Sequence, residues 1–184
     1  MTAVIWDAIV LAGGSAQRMG GTDKVALDVG GRTMLERVVA AVGSAQTVIV
    51  VGPHRSISAP VLWCREEPPG SGPASAVAAA LPLVSGDVVV LLAADQPLLT
   101  ERFVCELVAA VGESGVVAVD PEGRAQWLCS AWPVALLHAA QFRGGGSLHA
   151  ALSALPWTPF ASHGRDVFDC DTDDDVRRAR ELAE

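Results

Sequence analysis

This chain contains no tyrosine, and aromatic residues of all kinds make up only 5% of it. Its four cysteines, Cys64, Cys105, Cys129 and Cys170, lie far apart and form no C-x-x-C pair, which argues against a zinc knuckle or a redox dithiol. Most sit among apolar neighbours and are expected to be small core side chains. The four histidines, His54, His138, His149 and His163, are isolated and lack metal-ligand spacing, and only His54 falls near a loop of interest below. No G-x-S-x-G and no Cys or His in a nucleophile context is present, so hydrolysis through a covalent intermediate has no support. Positive charge is scarce: 13 Lys and Arg against 21 Asp and Glu leave a formal net charge of −8, a surface that repels nucleic-acid backbones and excludes DNA or RNA as a partner. No apolar run is long enough to span a bilayer, and no secretory pattern opens the chain, so a cytoplasmic protein without a membrane partner is expected.

The sequence is rich in small and aliphatic residues, with 51% hydrophobic content in 184 residues. That is enough to bury a real core, and one domain over residues 1–184 is expected. Largely apolar runs over 5–12, 47–51 and 88–94 read as strands covered on both faces. Shorter strands are expected over 61–64, 115–119, 126–132 (antiparallel) and 167–169. Helices are expected after the capping-box pattern Thr33-Met34-Leu35-Glu36, from Pro73, after Thr100, over 133–141 and 147–155, and over 173–182. The order predicts an α/β fold, a Rossmann-like three-layer sandwich with a mostly parallel sheet. Ligands of such sheets bind beyond the carboxyl ends of the strands, where Gly13–Lys24, Gly52-Pro53, Glu66–Pro73 and Asp95 all fall. Gly144-Gly145-Gly146 reads as a hinge.

The stretch with the most chemistry is Leu11-Ala12-Gly13-Gly14-Ser15-Ala16-Gln17-Arg18-Met19-Gly20-Gly21-Thr22-Asp23-Lys24. Glycines at a strand end let the backbone pass close to a ligand, backbone N–H groups there can cradle an anion, and Arg18 and Lys24 add two cations. The spacing is neither a P-loop nor G-x-G-x-x-G, yet it suits a polyphosphate. Adjacent Asp23 and Lys24 could instead form a surface ion pair, but the glycine loop favours phosphate binding by Lys24. Asp95, held at the end of the most apolar strand, suits Mg²⁺, which takes one or two protein carboxylates and keeps several waters. Asp171, read at a strand end, is a second candidate metal ligand, the other reading being that it or Thr172 caps the last helix. Asp173 to Asp175 favour the positive end of that helix, and Asp173 and Asp174 can pair with Arg177 and Arg178. Glu66 or Glu67 could accept hydrogen bonds from a nucleobase or ribose, or be a solvated loop acid.

These motifs together resemble the MobA-like nucleotidyltransferases, which include the molybdenum cofactor guanylyltransferases. Leu11-Ala12-Gly13-Gly14, Arg18-Met19-Gly20 and Asp23-Lys24 match the first motif of that family. Gly72-Pro73 is similar to its Gly-Pro-Leu-Ala-Gly segment, Ala94-Asp95-Gln96-Pro97 to its Cys-Asp-x-Pro motif, and Cys170-Asp171-Thr172-Asp173-Asp174 to its Ile-Asn-Thr-Pro-Glu segment. The resemblance implies GTP bound by Leu11, Ala12, Gly13, Gly14, Lys24, Glu67 and Asp95, with catalytic roles for Arg18, Lys24 and Asp95, and Mg²⁺ as cofactor on Asp95. The acceptor would be the terminal phosphate of a molybdopterin-type compound, pyrophosphate would leave, and transient contact with other molybdenum cofactor assembly proteins is implied. Cytidylyltransferases of the group more often read Leu-Ala-Ala-Gly, so Gly13 favours guanine; cytosine, another phospho-acceptor or a nucleotide-binding partner without catalysis are the alternatives.

Overall fold

The computed structural model describes residues 4–13, 23–140, 142 and 146–183. A seven-stranded sheet runs through it in the order β5-β4-β1-β6-β8-β7-β9. Its strands are β1 (Trp6–Leu11), β4 (Val48–Val51), β5 (Leu62–Cys64), β6 (Val88–Ala93), β7 (Gly115–Val119), β8 (Ala125–Pro133) and β9 (Trp157–Ala161). β8 is antiparallel to both of its neighbours and the other pairings are parallel, so the sheet is mostly parallel as expected. A two-residue hairpin, β2 (Asp28–Val29) and β3 (Arg32–Thr33), forms a second small sheet.

Alternate residues of β1 face opposite cores, as the two-residue period of a strand requires. Ala8, Val10 and Ala12 join Leu35 and Val38 of α1 (Met34–Ala41) and Val104 and Leu107 of α3 (Glu101–Ala109). On the other face, Ile9 and Leu11 meet Val77 and Ala80 of α2 (Pro73–Ala80), Leu137 of α4 (Val134–Ala139), and Leu148 and Leu152 of α5 (Leu148–Ser153). Helices on both faces make the third layer, and they explain why β6 is apolar without alternation and why β1 is apolar on both faces but for Asp7. A smaller cluster packs Val176 and Ala179 of α6 (Asp173–Ala183) on Val29 and Met34.

Local signals act where the sequence places them. The Thr33 hydroxyl accepts the Glu36 N–H at 3.2 Å and the Glu36 carboxylate accepts the Thr33 N–H at 2.9 Å, the reciprocal capping box. The Thr33 N–H, and after it the Thr33 hydroxyl, which donates to Glu36 Oε2 at 2.9 Å, hold the Glu36 carboxyl below its usual pKa. Pro73 takes the first helical position of α2, and Thr100 caps α3.

Two expectations fail. Residues 167–169 form no strand; the last strand is β9, unexpected because Pro159 lies within it. β9 is an edge strand, where a residue without an N–H is tolerated. Cys105 is exposed on α3, whereas Cys129 and Cys170 are buried as expected and Cys64 is half-buried. Of the expected hinge, Gly144 and Gly145 lie outside the described residues.

Candidate active site

The carboxyl edge of the sheet gathers four chain segments. The first two, following β1 and β4, are in backbone contact: the Ala12 N–H donates to the Val51 carbonyl at 2.8 Å. Gly52 makes this approach feasible. Its φ is +149°, and a Cβ there would lie 2.8–2.9 Å from the Ala12 carbonyl and the Gly13 nitrogen. β6 runs beside β1, with Leu11 opposite Ala93, and the Ala94 N–H donates to the Leu11 carbonyl at 3.0 Å. Asp95 is therefore delivered next to the Ala12-Gly13 backbone. The fourth segment arrives from far along the chain, where the Cys170 N–H donates to the Asp95 carbonyl at 3.0 Å. This bond, rather than a strand end, sets Asp171 beside Asp95.

Lys24 is shared by the two acids. Its Nζ lies 2.7 Å from Asp95 Oδ2 and 3.0 Å from Asp171 Oδ1. Burial pulls the ammonium pKa down, but the Asp95 and then the Asp171 carboxylates outweigh it and hold it above the usual lysine value. Asp95 Oδ1 is buried and has no hydrogen-bond partner among the described residues. A carboxylate oxygen withdrawn from water and left bare is costly unless a cation or donor completes it. Two carboxylates, one of them with a buried unspent oxygen, fit Mg²⁺, which needs few protein ligands. Among the described residues no group of three or more His, Cys, Asp or Glu is placed to hold a metal, so a site saturated by protein side chains is not built here.

Behind this cluster, Gln96 is buried and its Nε2 donates to Asp169 Oδ1 at 2.9 Å. Asp169 faces an open cavity of about 450 Å³ between the β7–β8 turn and residues 164–169. Asp169 is exposed at the mouth of that cavity, yet packing around its carboxyl and the neighbouring Asp95 and Asp171 charges push the carboxyl up to about 6, against a smaller opposing pull from Gln96. Arg37 of α1 steadies the segment after Asp95, donating to the Pro97 carbonyl at 2.7 Å and the Val29 carbonyl at 3.1 Å.

Several expected residues find other work. Thr172, not Asp171, caps α6: its hydroxyl accepts the Asp175 N–H at 3.2 Å and the Asp175 carboxylate accepts the Thr172 N–H at 2.9 Å. Asp171 is thereby left for Lys24. Asp174 pairs with Arg177 at 3.0 Å, whereas Arg178 lies over the Phe168 ring. Glu66 is buried and its Oε1 accepts the Gly70 N–H at 2.8 Å, which makes it a brace of its own loop. Glu67 is exposed, and no described contact joins it to Lys24 or Asp95. His54 packs at a tilt against Trp63, with ring centroids 4.9 Å apart. Gly14 and Arg18 lie outside the described residues.

Asp23 and Lys24 do not pair with each other. Asp23 takes both its bonds from Arg55, at 2.6 and 2.9 Å. Arg55 is not among the residues expected from the sequence, which point to Gly52-Pro53 and His54; its signal is a lone cation two residues past a strand-end glycine-proline.

A family model described as a MobA-like NTP transferase domain matches residues 8–158. A molybdenum cofactor guanylyltransferase of Cereibacter sphaeroides is 34% identical over 137 residues, covering 70% of this chain and 69% of that protein. A nucleotidyl transferase structure from Methanothermobacter superposes with a TM-score of 0.81 at 20% identity, covering 97% of each chain. A 2-C-methyl-D-erythritol 4-phosphate cytidylyltransferase from Thermus thermophilus does so with a TM-score of 0.76 at 21% identity, covering 99% of each. At such identities the two structures speak for the fold alone.

Proposed function

This chain belongs to the MobA-like NTP transferase family, and on that premise we propose that it transfers GMP from GTP to the terminal phosphate of a molybdopterin-type acceptor. It is a nucleotidyltransferase; base and acceptor are the proposal. The observation that carries the site assignment is the Lys24 ammonium set between Asp95 and Asp171, with Asp95 Oδ1 buried and bare, against the Ala12-Gly13 backbone.

The reaction is an in-line displacement. An oxygen of the acceptor phosphate forms a bond to the α-phosphorus of GTP, the bond from that phosphorus to the β-phosphate oxygen breaks, and pyrophosphate leaves with the electron pair. No covalent enzyme intermediate is needed. The Ala12-Gly13 backbone supports the phosphates from one side. Lys24, released from one of its two carboxylates, donates to a phosphate oxygen and offsets charge that builds up during transfer. Arg18 is assigned the departing pyrophosphate, and Glu67 the nucleoside. Asp95 and Asp171 would hold Mg²⁺, whose chemistry is to neutralise and orient the phosphates. The main contribution of the protein is position, since a fixed attack geometry removes much of the entropic cost of a bimolecular step.

Equilibrium binding of GTP, CTP, ATP and dTTP with Mg²⁺, measured by calorimetry on the purified chain, tests this. GTP is expected to bind most tightly. A preference for CTP replaces the base and keeps the mechanism, and absence of binding by all four overturns the proposal.

A further inference from the structure

The strongest unassigned arrangement lies on the far side of the Asp23–Lys24 peptide bond. The Arg55 side chain is only 16% exposed. Its Nε and Nη2 form a fork on Asp23, at 2.6 Å to Oδ2 and 2.9 Å to Oδ1. Its Nη1 donates to the Ala12 carbonyl and to the Pro53 carbonyl, each at 3.1 Å. One planar guanidinium thus ties together the end of β1, the segment after β4 and the residue immediately before Lys24. Exposed ion pairs stabilise little, but although the Asp23 end is about half exposed, the guanidinium end is covered, bidentate and joined to two backbone carbonyls.

We propose that Arg55 is the positioning residue for Lys24, a role that rests on the nucleotidyltransferase reading above. Asp23 begins the 3₁₀ turn Lys24–Ala26, and its carbonyl accepts the Ala26 N–H at 3.1 Å. Holding Asp23 by both carboxylate oxygens fixes the start of that turn, and the start of the turn fixes where the Lys24 side chain departs. This anchor matters because Lys24 must exchange partners. In the structure it is held by Asp95 and Asp171, but in turnover it is needed on phosphate. A side chain that gives up a carboxylate keeps its place only if its backbone is held by something else. Arg55 supplies that hold and sets the same origin against the Ala12-Gly13 backbone. Lysine cannot replace it, because a single ammonium lacks the planar fork that spans Asp23 and the two carbonyls.

The test is a cycle of variants read by calorimetric binding of Mg·GTP, with thermal unfolding as the control for fold. Arg55→Ala is expected to weaken binding about tenfold, the scale of a lost bidentate pair and a misplaced contact. In a Lys24→Ala background the same change is expected to cost less than about twofold, because Arg55 acts through Lys24. Arg55→Lys is expected to behave like Arg55→Ala. A purely structural Arg55 would give equal losses in both backgrounds, which overturns the proposal, as does unchanged GTP affinity in folded Arg55→Ala. Full recovery by Arg55→Lys overturns the fork. If Arg55→Ala does not fold, Asp23→Asn removes the pair from its exposed end and is held to the same outcomes. If the unaltered protein binds no nucleotide, the transferase reading itself fails, a result separate from failure of the cycle.

Discussion

At the amino edge of the sheet, Asp7 of β1 is fully buried, and its Oδ2 accepts the N–H groups of Ser85 at 2.6 Å and Gly86 at 2.8 Å. At the carboxyl edge, Asp95 follows the neighbouring strand β6, and its Oδ2 is met by the Lys24 ammonium at 2.7 Å. Each acid leaves its Oδ1 buried and without a partner among the described residues. Each edge also has a glycine seating one loop on another. A Cβ on Gly86 would lie 2.9 Å from the Ile5 carbonyl, and one on Gly52 2.8 Å from that of Ala12. Close packing and a bare carboxylate oxygen therefore do not by themselves distinguish a scaffold from a site. The donors do. Backbone N–H groups are fixed by the fold and cannot leave Asp7. Lys24 reaches Asp95 on a flexible stem and can move to a substrate. On the function proposed above, the acid with exchangeable partners is the one used for chemistry.

Three experiments press on this contrast. The largest effect is expected from Asp95→Asn: turnover, followed as pyrophosphate release, should fall by at least about 10²-fold, the scale of a lost electrostatic group in a preorganised site, with little change in thermal unfolding. Near-normal turnover would remove Asp95 from the reaction. Asp7→Ala should do the reverse. It strips two backbone donors of their acceptor and should lower stability by about 2–3 kcal/mol in chemical denaturation while GTP affinity is preserved. A stability change confined to Asp95→Asn would break the comparison.

The smallest effect is a pH dependence at the carboxyl edge. Asp169 has its carboxyl raised from 3.8 to about 6 in the folded protein, first by the packing around it. A raised folded-state value favours the protonated acid. The added stability is fully present below the unfolded value, near 3.8, and is lost as pH rises through about 6. Unfolding free energy measured across that window, without nucleotide or divalent metal, should contain a decline that Asp169→Asn abolishes. An unchanged slope in the variant would assign the decline to other groups.

Much of the framework could be read along the chain. Largely apolar runs without alternation mark β1, β4 and β6, and the Thr33–Glu36 and Thr100 caps and Pro73 mark where helices begin. These features depend on neighbours in sequence, on hydrogen bonds spanning three or four residues and on which side chains tolerate burial. They were enough to call an α/β sheet and to direct attention to its carboxyl edge. β9 escaped because a proline in an edge strand has no local signature separating it from a loop.

What only the tertiary structure decided is partnership. Asp23 and Lys24 are adjacent, yet one turns to Arg55 and the other to Asp95 and Asp171. By sequence Asp171 suits a cap or a metal ligand; the capping role goes to Thr172 because the Asp175 carboxylate reaches back to it, leaving Asp171 for Lys24. Glu66 and Glu67 are neighbours of the same chemistry, but one braces a loop and the other faces solvent. The composition and spacing of this sequence determined that a strand-end glycine, a lysine and carboxylates would meet beyond the strands. Which charge would face which was settled by contacts between residues as far apart as Lys24 and Asp171, whose distance in space depends on the register of the whole sheet.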